Sequence, residues 1–197
     1  MFTGIINNSA TIKKIEFSKK KDCNLTISLN KKTDRNLDIG CSISCNGICL
    51  TLVKNNKNNL YFQASDETSN LTTIKNWKEK QILNIEFALR PQDEIGGHFV
   101  TGHIDGIAYL NKIKKVKDSW IMDFTFDKKY QNLSKFVFKK GSITIDGISL
   151  TVNSTNKHSF SVNIIKHTFN NTNLSQIKLN DAVNIEIDLI ARIVKSK

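Results

Sequence analysis

The chain has 197 residues, 39% of them hydrophobic, and a formal net charge of +11. This length can bury roughly 70% of the surface of the unfolded chain, in one large domain or two small ones. Because no run reaches 18 apolar residues and MFTGIINNSAT has neither a basic stretch nor an apolar signal core, we expect a cytoplasmic protein without a membrane partner.

The positive charge is dispersed along the chain. Lysines alternate with asparagines, as in KNNKNN from Lys54 to Asn59, without an Arg-rich stripe or basic-aromatic alternation. This pattern is typical of a solvated surface, so we expect no nucleic-acid partner. A basic β-barrel that binds nucleic acid is the competing interpretation, and it predicts salt-sensitive retention on DNA.

An internal repeat organises the sequence. SISCNGICLTL at Ser42 recurs 100 residues later as SITIDGISLTV at Ser142, and FTGIINNSATIKKI from Phe2 matches VTGHIDGIAYLNKI from Val100. Such self-similarity predicts two copies of one structural unit. The predicted parts are an N-terminal unit (1–89), the linker RPQDEIGG (90–97), a C-terminal unit (98–187) and a short amphipathic helix that would contact other subunits (188–197).

Each copy contains a predicted β-hairpin. Asn46-Gly47 favours the positive φ angles of a two-residue turn and separates two stretches typical of strands. Because side chains alternate along a strand, the core and the outer face receive different residues. We predict that Ile48, Leu50 and Leu52 point inward and Cys49 and Thr51 outward, as do Ile148, Leu150 and Val152 against Ser149 and Thr151.

Four cysteines raise the question of a metal site: Cys23, Cys41, Cys45 and Cys49. The last three are spaced by four residues, which on an extended segment separates neighbouring thiols by roughly 13 Å. One zinc ion cannot bridge that distance, since it binds sulfur at about 2.3 Å. We therefore predict reduced, mostly buried thiols and no metal.

The second copy is richer in groups that can act chemically. It has His103 where the first has Ile5, Ser149 for Cys49 and Asp146 for Asn46. Small polar groups on an outer strand face leave room for a flat ligand, so the repeat predicts two like pockets that act differently. His103 lies in the glycine-flanked segment GGHFVTGH. The segment is compatible with His103 as a general acid or base and with His103 as a structural residue.

Five ordered motifs carry a family resemblance: MFTGII, NGICLTL, DEIGGHFVTGHIDG, KGSITIDGISLTV and NIEIDLIAR. Over almost the entire chain they resemble the riboflavin synthases of the alpha-chain type. The resemblance implies an all-β fold of two tandem six-stranded antiparallel Greek-key barrels with a short C-terminal helix, assembled as a homotrimer. It implies a transferase without a cofactor, which takes two molecules of 6,7-dimethyl-8-ribityllumazine and transfers four carbons to give riboflavin and 5-amino-6-(D-ribitylamino)uracil, the last step of riboflavin biosynthesis.

The resemblance also implies roles for individual residues. His103 and Ser149 with Thr151 match positions for proton transfer and activation in the C-terminal pocket, while Cys49 and Thr51 line the N-terminal pocket; all but Thr51 are predicted to be catalytic. The predicted substrate-binding residues are Phe2, Thr3, Gly4, Ser42, Thr51, Ala64, Thr68, His98, Asp146, Ile165 and Thr168.

The alternative function is that of a non-catalytic lumazine- or flavin-binding protein. Such relatives typically lose much of the second copy's site, whereas this chain keeps GGHFVTGH and DGISLTV. The enzyme is therefore the preferred hypothesis. The resemblance leaves open an association with lumazine synthase and the question of which pocket holds the donor lumazine.

Overall fold

Two closed barrels of six antiparallel strands make up the computed structural model, in the residues that it describes (1–18, 22–56 and 59–195). The N-terminal barrel consists of β1 (Asn8–Phe17), β2 (Cys23–Leu29), β3 (Ser42–Cys45), β4 (Ile48–Asn56), β5 (Asn59–Ala64) and β6 (Ile82–Phe87). The C-terminal barrel consists of β7 (Gly106–Val116), β8 (Ser119–Phe126), β9 (Ser142–Ile145), β10 (Ile148–Thr155), β11 (Ser159–Ile165) and β12 (Ala182–Ile187).

The two barrels share one topology. Around the first barrel the order is β1-β2-β5-β4-β3-β6, and the second follows the same order with β7 to β12. β3, β4 and β5 are successive neighbours, and the chain then returns to place β6 beside β3, which is a Greek-key connection. Short helices follow equivalent strands, α1 (Asp66–Leu71) and α2 (Lys166–Asn171), and α3 (Leu189–Lys195) follows β12. The predicted fold class is confirmed.

The predicted hairpins and their alternation are confirmed as well. Asn46 and Gly47 have φ angles of 44° and 82° and turn β3 into β4, with Cys45 opposite Ile48. Within β4, Ile48, Leu50 and Leu52 are buried, whereas Cys49 is half-buried and Thr51 is exposed. The strand β10 repeats this pattern from Ile148 onward. The polar positions therefore lie on the outer surface of each barrel.

The repeated turns are where the two barrels meet. A Cβ atom on Gly47 would lie 2.7 Å from the backbone nitrogen of Gly147, and one on Gly147 would lie 2.8 Å from that of Gly47. The flanking contacts are reciprocal, as across a two-fold axis. Asn184 Nδ2 donates to the carbonyl of Asn46 (2.8 Å), and Asn84 Nδ2 donates to that of Asp146 (2.9 Å).

Asp146 places a carboxylate inside this interface. Its Oδ1 accepts a hydrogen bond from the Asn184 backbone N–H (2.8 Å), and its Oδ2 accepts one from Asn173 Nδ2 (2.7 Å). Burial raises the pKa of Asp146 to about 7, against the lowering effect of these donors. At the equivalent place, Asn46 Oδ1 accepts from the backbone N–H of Asn84 (2.7 Å), so an ionisable group stands at position 146 but not at position 46.

Two arms cross between the barrels. We call residues 2–6 the N-terminal arm and residues 100–104 the central arm. They pair through Phe2 N–H to Val100 O (2.7 Å) and Val100 N–H to Phe2 O (3.1 Å). Ile6 packs against the core of the C-terminal barrel and Ile104 against that of the N-terminal barrel. Each arm therefore lies on the barrel of the other copy.

The helix α3 closes the described chain. Its Ala191 is buried, and the Arg192 guanidinium pairs with Asp105, just beyond the central arm. Ile190, Ile193 and Val194 are each more than half exposed. No helix in the described ranges has the length and apolar character needed to cross a membrane.

Candidate active site

A row of three side chains crosses the outer face of the C-terminal barrel. Glu186 on β12 is opposite Thr144 on β9, and Thr144 is opposite Ser149 on β10. Residues directly opposite in antiparallel strands point to the same face. Strand register thus brings together a carboxylate and two hydroxyls that are far apart in the sequence.

His98 is bound to this row through both ring nitrogens. Its Nδ1 lies 2.7 Å from Ser149 Oγ and its Nε2 lies 3.0 Å from Thr144 Oγ1. Burial lowers the pKa of His98, an effect that the nearby Asp188 carboxylate opposes. A neutral imidazole has one donor and one acceptor nitrogen, so one of the two hydroxyls donates to the ring and the other accepts from it.

The N-terminal barrel carries the matching row. Glu86 on β6 is opposite Ser44 on β3, and Ser44 is opposite Cys49 on β4. Ser44 is buried, while Cys49 is half-buried. A thiol therefore occupies the place that Ser149 has in the other barrel.

The crossing arms lie on these rows. The Ser149 N–H donates to the carbonyl of Gly4 (2.8 Å), and the Cys49 N–H donates to the carbonyl of Gly102 (2.9 Å). Both glycines have positive φ angles, and a Cβ atom on either would lie 2.6 Å from the Cβ atom beneath it. The chain needs glycine here because it must turn while touching the strand.

The crossing separates His103 from Ser149. The resemblance groups His103 with Ser149 in the C-terminal pocket, whereas in the structure His103 follows Gly102, whose carbonyl accepts a hydrogen bond from Cys49 of the N-terminal barrel. The histidine hydrogen-bonded to Ser149 is His98. His103 is exposed, and its N–H donates to Thr101 Oγ1 (3.2 Å). The copy of the repeat to which an arm residue belongs does not determine the barrel on which it lies, because each arm crosses to the barrel of the other copy.

Several predicted substrate-binding residues lie on the outer faces. Ser42 is opposite Thr51 in the β3–β4 pair. In the C-terminal barrel, Ile165 is 61% exposed at the end of β11, and Thr151, a predicted catalytic residue, is exposed on β10. The remaining ones follow the fifth strand of each barrel or end it: Ala64 ends β5, Thr68 lies in α1 and Thr168 lies in α2.

Two of the predicted substrate-binding residues are buried inside the chain. Phe2 is fully buried where the arms pair. Asp146 is buried between the barrels, and both of its carboxylate oxygens already accept hydrogen bonds. The structure therefore assigns these two residues to the interior, which supports the arms and the barrel interface.

Sequence reasoning missed Glu86 and Glu186. Glu86 accepts hydrogen bonds from Thr3 N (2.7 Å), Thr3 Oγ1 (2.9 Å) and Gly4 N (2.9 Å). Glu186 accepts them from Thr101 N (2.6 Å), Thr101 Oγ1 (2.7 Å) and Gly102 N (3.0 Å). Burial raises the pKa of each carboxyl, and the arm donors lower it. The available signal was a glutamate inside an apolar strand in both copies of NIE.

The cysteines differ in their surroundings. Burial raises the pKa of the Cys23 thiol to about 11 and also raises that of Cys45, so both remain protonated thiols at neutral pH. In the described part of the chain, no cluster of three or more His, Cys, Asp or Glu side chains is placed to hold a metal ion. Cys49, in contrast, stands on the outer row.

A cleft of about 440 Å³ lies elsewhere, between the barrels. Its lining includes Asn46, Trp77, Asp146 and Asn173 but none of the row residues. The rows lie on the outer strand faces beneath the crossing arms, where Cys49 and Ser149 are half-buried. We therefore base the candidate site on the rows, because the chemically active groups converge there.

Comparison with known proteins identifies the family. Residues 3–88 and 101–188 each match the lumazine binding domain. The riboflavin synthase of Photobacterium phosphoreum is 35% identical over 198 residues, which cover 99% of this chain and 88% of that protein. That of Brucella abortus is 37% identical over 200 residues, covering 98% and 95%. The chain belongs to the riboflavin synthase family. The Bacillus subtilis riboflavin synthase is 34% identical over 193 residues, which cover 98% of this chain and 87% of that protein.

Solved structures support the fold of this riboflavin synthase family member. The crystal structure of LumP complexed with riboflavin has a TM-score of 0.84 and 25% identity, covering 95% of this chain and 99% of LumP. The complex of LumP with 6,7-dimethyl-8-(1'-D-ribityl) lumazine has the same TM-score and 24% identity, again covering 95% and 99%. The predicted family is confirmed.

Proposed function

We propose that this chain is an active riboflavin synthase, a transferase that converts two 6,7-dimethyl-8-ribityllumazine molecules into riboflavin and 5-amino-6-(D-ribitylamino)uracil. The observation that carries the proposal is the pair of matching outer rows, with Ser149 under Gly4 and Cys49 under Gly102. One compound is both donor and acceptor of the four-carbon unit, and two equivalent pockets suit such a reaction. Holding both molecules in place replaces a rare encounter by a positioned one.

Ser149 and His98 are the proposed proton-transfer pair. The reaction requires removal of a proton from the C7 methyl group of one lumazine. A hydroxyl 2.7 Å from a neutral imidazole can relay a proton between a ligand on the strand face and the ring. Thr144 holds the other ring nitrogen and so keeps the imidazole oriented.

The other pocket is proposed to use Cys49 with His103. Cys49 is half-buried on the outer face of the N-terminal barrel, and its N–H donates to the carbonyl of Gly102, the residue before the exposed His103. Thr51 with Ser42 opposite it, and Thr151 at the equivalent place on β10, offer hydroxyls to the heterocycle edges. Thr3 and Gly4 shape the arm above Ser149. Ala64, Thr68, Ile165 and Thr168 are the further proposed contacts of the bound lumazines.

We also propose a homotrimer in the cytoplasm. Ser149 and Cys49, half-buried on the outer strand faces, suit pockets that a neighbouring subunit completes, and the exposed apolar residues of α3 offer a contact surface. Four free cysteines suit a reducing compartment. Sedimentation with and without lumazine synthase tests whether the two enzymes associate.

The deciding experiment gives the purified full chain only 6,7-dimethyl-8-ribityllumazine. We expect riboflavin fluorescence to appear at half the molar amount of lumazine consumed. Ser149→Ala, which removes one hydroxyl from the row, is the matched control and should bind lumazine but form little riboflavin. A chain that retains unchanged lumazine would instead be a binding protein, and salt-sensitive retention on DNA without lumazine binding would support the nucleic-acid interpretation.

A further inference from the structure

Two buried carboxylates anchor the crossing arms. Glu86 and Glu186 are 4% and 3% exposed and occupy equivalent places on the last strand of each barrel. Each accepts two backbone N–H bonds and one threonine hydroxyl bond from the arm that precedes its own barrel. Hydrogen bonds to an ionised acceptor are stronger than those between neutral groups. Glu86 therefore fixes Thr3-Gly4, and Glu186 fixes Thr101-Gly102.

Each anchored glycine then binds the opposite barrel. The N–H of Gly102 donates to Glu186, while its carbonyl accepts from Cys49. The same path joins Glu86 through Gly4 to Ser149. One residue thus spans the two barrels, with its N–H bound on one and its C=O bound on the other.

We propose that Glu186 and Glu86 are positioning residues that act across the barrel interface: Glu186 sets the arm over Cys49 in the N-terminal barrel, and Glu86 sets the arm over Ser149 in the C-terminal barrel. The proposal rests on the proposed function, because it concerns how the two lumazine pockets are built. Each pocket consequently depends on a carboxylate that belongs to the other barrel.

A purely local role would give a different pattern. Glu186 is also opposite Thr144, on its own row, and Glu86 is opposite Ser44. If the carboxylates acted only along their rows, the loss of Glu186 would disturb the C-terminal barrel and the loss of Glu86 the N-terminal barrel. The two mechanisms therefore predict opposite barrels for the same substitution.

Glutamine is the sharpest substitution. Glu186→Gln and Glu86→Gln keep the side-chain volume, but one carboxylate oxygen becomes an N–H donor that faces the donors of the arm. At least one anchoring bond is lost and the negative charge disappears. Glu16→Gln, at an exposed residue of β1 paired with Lys14, is the control for charge removal.

The readouts use the free full-length chain. Alkylation of Cys49 by iodoacetamide, resolved by peptide mass spectrometry, measures access to the thiol under the central arm. We expect Glu186→Gln to accelerate it by about tenfold, as for the loss of one charge-assisted hydrogen bond, and Glu86→Gln to change it by less than about twofold. NMR signals of the His98 ring report on the other pocket, because the His98 N–H donates to Thr3 O (3.1 Å). We expect Glu86→Gln to shift them more than Glu186→Gln does.

The proposal is overturned if Glu186→Gln leaves the Cys49 alkylation rate unchanged, or if each variant disturbs only its own barrel. Should a glutamine variant fail to fold by circular dichroism, Thr101→Val and Thr3→Val remove one anchoring hydroxyl each and should give the same crossed pattern at smaller size. Riboflavin formation by the wild type is measured separately. If each variant disturbs the opposite barrel but the wild type forms no riboflavin, the enzyme function is refuted and the positioning role stands. If the wild type forms riboflavin but neither variant disturbs the opposite barrel, the positioning role is refuted and the enzyme function stands.

Discussion

The Nδ1 atom of His98 lies 2.7 Å from the Oγ atom of Ser149. His98 precedes the central arm, and Ser149 is on β10, so the pair forms only when the chain segment before the arm folds back onto the C-terminal barrel. The N-terminal barrel has Cys49 at the place of Ser149, and the histidine nearest to it along the arm is His103. The two outer rows therefore share a backbone frame but differ in the side chains that we propose for proton transfer.

Replacing Ser149 by alanine tests this pair directly. If the hydroxyl relays a proton, we expect kcat to fall by about 10²–10⁴-fold, with a much smaller change in lumazine affinity. Steady-state kinetics and fluorescence titration measure the two quantities. Thr144→Val removes a hydroxyl from the same row but keeps the Ser149 contact, so it should lose less activity. Equal losses of kcat and affinity in Ser149→Ala would argue against a chemical role.

The pH dependence of kcat tests the state of His98. Burial lowers the pKa of His98, so the ring takes up a proton only below the usual histidine value of about 6.5. A protonated ring cannot accept a proton from Ser149. We expect kcat to fall as the pH decreases through this lowered pKa, with the acidic limb below about pH 6.5. An acidic limb above that value would contradict the assignment.

Alanine at Gly47 should weaken the contact between the barrels and lower the free energy of unfolding. Its φ of +82° and a Cβ position 2.7 Å from the backbone of Gly147 combine backbone strain with a clash that no side chain can relieve. Gly40 is the matched control, with a φ of +93° and open space around its Cβ position. We expect Gly40→Ala to cost about 1–2 kcal/mol of unfolding free energy and Gly47→Ala clearly more, by denaturant unfolding. Equal costs would mean that the turn contact is unimportant.

Asp146 should make stability depend on pH. Its pKa is about 7 in the folded chain and about 3.9 when unfolded, so between these values the folded state holds a proton that the unfolded state has released. The unfolding free energy should therefore increase as the pH falls from above 7 towards 4. Above pH 7 the full cost of burying the carboxylate is present.

A double substitution isolates this contribution. Asp146→Asn alone would set an amide N–H against the amide of Asn173, whereas D146N/N173T reproduces the pair Asn46 and Thr73 of the other copy. We expect the single variant to be less stable than the double variant. The double variant should also lose part of the pH dependence in thermal unfolding from pH 4 to 8. An unchanged pH profile would contradict the raised pKa of Asp146.

The trimer depends on α3 in our proposal. Ile190 and Val194 are 57% and 67% exposed, so lysine at both positions should leave the fold intact while removing an apolar contact surface. We expect I190K/V194K to sediment as a monomer and the wild type as a trimer. Val116→Lys, at an exposed residue near the end of β7, is the control and should remain trimeric. A trimer that survives the double substitution would place the contact elsewhere.

Local rules accounted for the barrels but not for the arms. Turn preference at Asn46-Gly47 and side-chain alternation along β4 depend on neighbouring residues, and both predictions were confirmed. The placement of His103 depends on the barrel over which the arm crosses, which is a tertiary relationship. Alignment of the two copies shows that His103 is equivalent to Ile5. It does not show on which barrel His103 lies.

The buried polar residues were hard to predict for a related reason. Asp146 differs from its counterpart Asn46, and a titratable group next to a predicted pocket suggests ligand binding. In the structure its carboxylate accepts hydrogen bonds from Asn173 and Asn184 of its own barrel, and its carbonyl accepts one from Asn84 of the other barrel. Glu86 and Glu186 carried a readable signal, because a charge in an apolar strand requires partners, but the sequence does not say which partners.

The reciprocal turn contact also bears on how such a chain could arise. An interface in which Gly47 meets Gly147 and each asparagine binds the opposite turn is the kind that two identical single-barrel proteins would form as a homodimer. Fusion into one polypeptide makes this association independent of concentration. It also frees each half to change alone, and the residues at 46 and 146 are no longer identical.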